Sequence, residues 1–447
     1  MSSPTAAKLQ PALIGRMNEA RFRTDELFKL LPPNSFYDRP VPERHRMIFY
    51  LGHLEAFDWN LLAGPLGISS DNPEFDKLFA FGIDPVGTGL PTDKPEEWPT
   101  IARIEKYNRR VREELDEALR GCRAFDCGSP LGDGQLLNVA IEHRLMHAET
   151  LAYLLHNMPV DRKTSRPAPA HDPRPEPKRL RARIPAGVAT IGLRKDAGAF
   201  GWDNEFEAKQ LFVPGFSIDV FPVTNGEYLK FVQADGYENP KYWGVEDWDW
   251  KRGQRLEHPH FWSRRSASPA ADPDTRWDCH AMFGSIPLPC SWPVFVSHAE
   301  ASAFCRWAGK KLPTEAQWHR AAYGSAEGTE RPYPWGEEAP DNSRGNFHHE
   351  RWTESPVDAH PAGASAFGVQ DLLGNGWEWT STAFGPLPGF EPFRFYPGYS
   401  ANFFDGRHFV LKGGSNRTDA CMLRRSFRNW FQPHYPYIYS TFRCVED

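Results

Sequence analysis

Two histidines four residues apart, His143 and His147 in GQLLNVAIEHRLMHAETLAYLLH (134–156), carry the clearest chemistry in the 447-residue chain. A helix puts such a pair on one face with ring nitrogens able to converge on one ion. Leu136, Ala140, Leu151 and Leu154 share that face, so both rings are expected to point into an interior, where an unpaired imidazole is costly. His53, in RMIFYLGHLEAFDWNLL (46–62), shares a stripe with Phe49, Ala56 and Asn60 and is expected to face inward too. One histidine on an apolar face is more often a core residue bonded to a neighbour. Three from two helices of one bundle make a metal site, because facing helices are where bundles build them. Glu149 lies about 200° round the helix from His147, which suits a structural or outer role better than ligation. Three neutral imidazoles leave an ion its full charge and open positions. That set suits zinc in hydrolysis or transfer, or iron with oxygen and substrates bound together.

The elements that must position these residues are legible from periodicity. Apolar residues recur at three- and four-residue steps from about Met17 to Met158, which predicts helices at roughly 16–31, 43–64, 97–121 and 134–157. MPVDRKTSRPAPAHDPRPEPKRLRAR (158–183), rich in Pro, Arg and Lys, reads as an extended tether. After Ile184 short β-like runs, Gly and Trp dominate, with helices expected at Thr224–Ala234 and His298–Ala308. The stretch from Glu246 to Pro293 has little periodicity and reads as a surface excursion or an active-site wall. The domains expected are a helical bundle at 12–160, a linker at 161–182 and a compact α+β domain at 183–447.

Composition narrows the partners. A net charge of −6 without single-sign blocks gives no footprint for nucleic acid or an anionic membrane, so small polar substrates are expected. No stretch approaches membrane-spanning length and the first residues lack a signal pattern, which predicts a cytoplasmic protein. Seven scattered cysteines do not form a disulfide framework and are expected to be reduced thiols. Oligomeric state and any calcium in the second half are not legible.

The helical layout with His53 and then His143-x3-His147-x-Glu149 resembles the DinB-like metal-binding four-helix bundle. The second half resembles the formylglycine-generating-enzyme fold, a variant of the C-type lectin fold. The resemblance rests on IPAGVATIGL (184–193), FPVTNGEYLKFV (221–232), the segment 293–322, YPWG (333–336), GVQDLLGNGWEWTST (368–382), LKGGS (411–415) and FRNWF…TFRC (427–444). Joined in this order, the modules resemble the ergothioneine-biosynthesis sulfoxide synthases, nonheme iron enzymes that couple a sulfur donor to the imidazole C2 of hercynine using oxygen. The resemblance implies iron(II) on His53, His143 and His147, dioxygen as co-substrate, and a substrate wall supplied by the lectin-like half. Formylglycine generation is disfavoured, because it needs a cysteine pair after the GGS turn and only Cys421 is present.

Departures from the family pattern bear on the donor. The best-known branch reads Asn-Trp-Asp-x-Pro-x-Arg where this chain has Asn429-Trp430-Phe431-Gln432-Pro433-His434-Tyr435. The Asp and Arg that hold the charged ends of γ-glutamylcysteine are replaced by Phe431 and Tyr435, and a donor with unmatched charges would bind poorly. The branch's catalytic Tyr is Phe384 here and its neighbouring Tyr is Leu387. Another branch's Tyr-Tyr pair falls in LFAFGIDPVG (78–87), which has no Tyr, so the proton donor is left unassigned. These losses, with NSFYDRPVPERHRMIFYLGHLEAFDWN (34–60) and FGIDPVGTGLPTD (81–93), resemble the selenoneine synthases, which use a selenosugar.

The resemblance therefore implies substrate contacts from Phe49, Met146, Phe384, Asn429, Trp430, Phe431 and Tyr435. Trp430 and Phe49 would face the trimethylammonium of hercynine, Asn429 its carboxylate, and Met146 would line the pocket. Trp430 and Phe49 read equally well as packing. Trp307, Trp318, Trp377 and Trp379 read as fold-defining core, and Arg424-Arg425 and Arg264-Arg265 as solvated or interdomain charge. The remaining alternatives are a thiol donor in place of selenium, a zinc-dependent DinB-like thiol transferase, and a sugar-binding module without catalysis.

Overall fold

The computed structural model describes residues 6–80, 90–121, 131–265 and 276–446. The chain divides into two compact units, Met1–Arg166 and Pro167–Asp447. The loop read as lacking the Tyr-Tyr pair falls largely at 81–89, outside the described residues, as do Cys122 and Cys127.

The first unit holds α1 (Ala6–Phe28), α2 (Met47–Leu66), α3 (Pro73–Leu78), α4 (Ile101–Arg120) and α5 (Gln135–Asn157). In α4 the buried residues Ile104, Tyr107, Val111, Leu115 and Leu119 form one stripe, with charge on the other face. Helices α2 and α5 are buried almost all round, as the central members of a bundle must be. Helix α5 lies against α1 and α2, and α2 also against α4. Gly67, at φ 71°, ends α2 in the left-handed conformation that glycine adopts without strain.

Two features differ from the sequence reading. Helix α1 begins at Ala6 rather than near 16 and runs through Pro11, whose ring costs it one backbone hydrogen bond. Helix α3 was not expected, since six residues are too few to show a period. Its signal is local: Asn72 accepts from the Phe75 N–H at 3.2 Å and Pro73 takes the first helical position.

The second unit is a mixed domain with much irregular chain. Its helices are α6 (Asn225–Gln233), α7 (Val245–Gln254), α8 (His298–Trp307) and α9 (Glu315–Tyr323). Capping boxes start α6, α8 and α9, at Thr224/Glu227, Ser297/Glu300 and Thr314/Gln317. The strands are β1 (Arg181–Ile184), β2 (Gly187–Ile191), β3 (Lys209–Val213), β4 (Phe216–Asp219), β5 (Trp262–Arg264), β6 (Trp277–Ala281), β7 (Gly284–Pro287), β8 (Trp377–Ala383), β9 (Phe409–Lys412), β10 (Asn429–Phe431), β11 (Ser440–Thr441) and β12 (Val445–Glu446). They form sheets ordered β1-β4-β12, β10-β9-β8-β11, β2-β3 and β5-β6-β7 among the described residues. The core gathers around Ile184, Ile218, Trp318, Val369, Leu372 and Leu423.

The stretch from Glu246 to Pro293 is not a plain excursion, since it carries α7 and the β5-β6-β7 sheet. VEDWDWKRGQ has no apolar stripe. What marks its ends is charge, Glu246 and Asp247 in the first turn and Lys251 and Arg252 in the last, which suits the helix dipole. Trp318, Trp377 and Trp379 are buried core as expected, whereas Trp307 is half-buried. Arg424 and Arg425 are not merely solvated. Arg424 binds buried Glu205 through two bonds of 2.9 and 2.5 Å, and Arg425 meets Glu330 at 3.1 Å. No helix among the described residues is long and apolar enough to cross a membrane.

Candidate metal centre and aromatic wall

Helix α2 presents His53, and α5 presents His143 and His147, one helical turn apart. All three side chains are buried, and one ligand atom from each lies within 4.8 Å of the others. The ring centroids are 5.3 Å apart for His53 and His143, 4.9 Å for His53 and His147, and 4.5 Å for His143 and His147. The predicted stripe residues Leu136, Ala140, Leu151, Leu154, Phe49 and Ala56 are buried beside them. Asn60 is exposed instead, at the outer end of the stripe, and its side chain donates to the Asp76 carbonyl at 2.9 Å.

Hydrogen bonding leaves ligand atoms to spare. The Nδ1–H of His53 donates to the Phe79 carbonyl at 2.6 Å, which fixes the tautomer and leaves the Nε2 lone pair facing the cluster. That Nε2 and both ring nitrogens of His147 have no hydrogen-bond partner among the described residues. Buried polar atoms are rarely left so, and an ion is the simplest partner for convergent imidazoles. Burial lowers the pKa of His53 to about 4, with the Phe79 bond opposing the shift. Burial likewise pushes His143 and His147 well below the usual histidine value, helped by the neighbouring imidazoles. All three are therefore neutral near pH 7, the form that ligates metal. The residues present fit a metal ion, and nothing in their geometry selects iron over zinc.

A buried ion cluster ties the two ligand-bearing helices together. Arg144, next to His143, binds Glu55 at 2.8 and 3.1 Å, Asp58 at 2.5 Å and the Leu54 carbonyl at 3.0 Å. Arg112 of α4 reaches the same Glu55 at 2.6 Å and Asp25 at 2.7 Å. Burial works to raise Glu55, but the guanidiniums of Arg144 and Arg112 outweigh it and hold it at about 2. For Asp58 burial wins against Arg144, and with Glu55 adding to the rise its pKa reaches about 6. Sequence reading missed this cluster. Its signal was two acids in an otherwise apolar segment, LGHLEAFDW, opposite an arginine between two inward histidines.

Of the remaining candidates in the bundle, Phe49 is buried between His45 and His53, with ring centroids at 4.1 and 4.8 Å. Its ring supports His53. Met146 and Glu149 are half-buried on α5, and Glu149 is outside the three-histidine group.

In the second unit, Asn429, Trp430 and Phe431 form β10, the edge of its sheet, paired with β9 in the register Trp430 opposite Val410. Strand alternation sends Trp430 to one face and Asn429 and Phe431 to the other. Trp430 stacks on Phe384 at 4.2 Å with planes 6° apart, and Tyr399 and Phe403 lie at 5.4 and 5.6 Å. Arg428 supports Phe384 from 5.1 Å and is itself held by Glu315 at 2.9 and 3.1 Å. On the other face Phe431 stacks on Tyr435 at 5.3 Å, planes 13° apart. Between them in sequence, the His434 Nε2–H donates to the Asp247 carboxylate at 2.9 Å, and the ring stacks on Trp250. The Asn429 amide oxygen accepts the Trp430 N–H at 2.9 Å, which leaves its NH2 as the donor for an acidic ligand. Tyr399 and Phe403 were not picked out from sequence, because they lie in an irregular segment with many aromatics and no period.

Comparison with known proteins agrees with this architecture. Residues 167–447 match the sulfatase-modifying factor enzyme 1-like domain, and residues 16–151 match the DinB superfamily. A hercynine oxygenase of Mycolicibacterium smegmatis is 36% identical over 318 residues, covering 69% of this chain and 71% of the relative. A hercynine oxygenase of Mycobacterium tuberculosis is 39% identical over 248 residues, 55% of this chain and 56% of the relative. Ergothioneine biosynthesis protein 1 of Neurospora crassa is 28% identical over 502 residues, 94% of this chain and 56% of the relative. The chain thus spans a little over half the length of the M. tuberculosis and N. crassa relatives. With the DinB bundle first, the sulfatase-modifying-factor-like domain second and the M. smegmatis and N. crassa relatives across both, the chain belongs to the ergothioneine-biosynthesis sulfoxide synthase family.

Proposed function

We propose that the chain is a nonheme iron(II), oxygen-dependent enzyme that forms a carbon–selenium bond at the imidazole C2 of hercynine, using a selenosugar as donor. The observation that carries the metal assignment is the set of buried imidazole nitrogens on His53 and His147 without hydrogen-bond partners among the described residues, beside His143. Iron bound there would supply the oxidative chemistry with dioxygen, which takes the electrons as the C2–H and Se–H bonds are lost and the C2–Se bond forms. The protein's own part is positioning. Trp430, backed by the stacked ring of Phe384 and with Tyr399 and Phe403 alongside, offers an aromatic face to a quaternary ammonium. Met146 and Phe49 line and support the imidazole end.

The choice of donor rests on Phe431 and Tyr435. Their stacked rings make an uncharged platform, which suits the apolar face of a sugar ring and offers nothing to the charged ends of a dipeptide. A second reading, a thiol donor and a sulfur product, is supported by the relatives named for hercynine and ergothioneine. Competition separates them: protein, hercynine, iron(II) and air are offered selenoglucose, thioglucose, cysteine and γ-glutamylcysteine together, and products are read by mass. The selenosugar adduct is expected to dominate, and dominance of the γ-glutamylcysteine adduct contradicts the donor reading. Turnover by the zinc-loaded protein without oxygen would instead indicate thiol transfer.

A further inference from the structure

The short helix α3 buries Phe75 and Asp76, but six residues cannot be a stable helix on their own. Yet it is fastened at several points. The backbone carbonyl of Asp76 accepts from Asn60 of α2 at 2.9 Å, and its carboxylate accepts from Tyr107 of α4 at 2.7 Å and from Ser70. The ring of Phe79, fully buried, lies edge-on to Phe75 at 5.5 Å and stacked near Trp98 at 6.1 Å. These contacts place the Phe79 carbonyl, one of the unpaired carbonyls at a helix C-terminus, on the Nδ1–H of His53.

Gly52, the residue before His53, makes the approach possible. A Cβ there would lie 2.7 Å from three atoms of the Phe79 ring, closer than packed carbon atoms come. The ring is packed against Phe49, Phe75 and Trp98, which restricts how far it can swing.

We propose that α3 is a ligand-orienting clamp: the Phe79 carbonyl, seated through the gap at Gly52, holds His53 in the tautomer and rotation that present Nε2 to the metal. This rests on the metal reading above and assigns positioning roles to Gly52 and Phe79. A carbonyl on the distal nitrogen also makes the ligating nitrogen more basic, and losing such a contact typically weakens metal affinity 10–100-fold.

The test is cobalt(II) affinity of the full-length protein, read from d–d absorption and chelator competition without oxygen. Gly52→Ala is expected to weaken cobalt binding about 10–100-fold, and Gly52→Ala/Phe79→Leu, which makes room for the methyl group, to recover most of that loss. If Gly52→Ala fails to fold by circular dichroism, Asn60→Ala takes its place; it frees α3 from α2 at an exposed side chain and should weaken binding about tenfold. Unchanged affinity in the folded variant overturns the clamp, as does a fall in apo-protein melting temperature with affinity intact. A wild-type protein that binds no cobalt overturns the metal reading itself, a result distinct from either.

Discussion

Replacing Arg144 by methionine probes the scaffold beneath the metal centre. Arg144, Glu55 and Asp58 are each at least 99% buried as side chains, so whatever loses its partner stays in a dry interior. Glu55 keeps Arg112, at 2.6 and 2.9 Å. Asp58 loses Arg144, its hydrogen-bond partner among the described residues, and is stranded. Removing one member of a buried ion pair costs about 3–5 kcal/mol, which lowers hydrogen-exchange protection of α2 and α5 amides by roughly two to four orders of magnitude when exchange requires the bundle to open. Hydrogen exchange read by peptide mass is the right assay, because the second unit serves as an internal control that should not change. Adding Asp58→Asn removes the stranded charge and should restore part of the loss. Protection in α5 within threefold of wild type for Arg144→Met would refute the view that this cluster ties the two ligand-bearing helices together.

Further predictions follow from the same geometry. His147→Ala should weaken iron binding, leaving two imidazole ligands, with the far-ultraviolet circular dichroism spectrum intact because the helix gains a good helix former. The three histidines have folded-state pKa values below their unfolded value, so the unfolded chain binds more protons in that window. The metal-free bundle should thus lose stability as pH falls from about 6.5 toward 4, a trend measurable by thermal melts and flattened in a His53→Phe variant. Trp430→Ala should raise KM for hercynine roughly 5–30-fold, the worth of one cation–π contact of about 1–2 kcal/mol, with a smaller effect on an analogue lacking the ammonium. Phe431→Asp/Tyr435→Arg should shift donor preference toward γ-glutamylcysteine, seen as a changed product ratio in mixed-donor turnover.

The fold class and the convergence of His53, His143 and His147 were legible because both depend on long amphipathic or apolar helices, where spacing fixes the face. The short elements were not. Helix α3 is too brief to carry a period, and its importance lies in one carbonyl, which no side-chain pattern reveals. Helix α7 is held by charges suited to its two ends rather than by an apolar stripe. Glu55 and Asp58 carry no sign in the sequence of their partner, because Arg144 lies nearly ninety positions away along the chain. Asn429 and Trp430 were both expected to contact hercynine, but strand alternation sends their side chains to opposite faces of an edge strand.

X-ray absorption of the iron(II)-loaded protein, prepared without oxygen, tests the central assignment most directly. A single iron with three imidazole nitrogens at about 2.1 Å, reduced to two in His147→Ala, is the predicted outcome. Iron bound without imidazole scattering, or an unchanged spectrum in that variant, would contradict it.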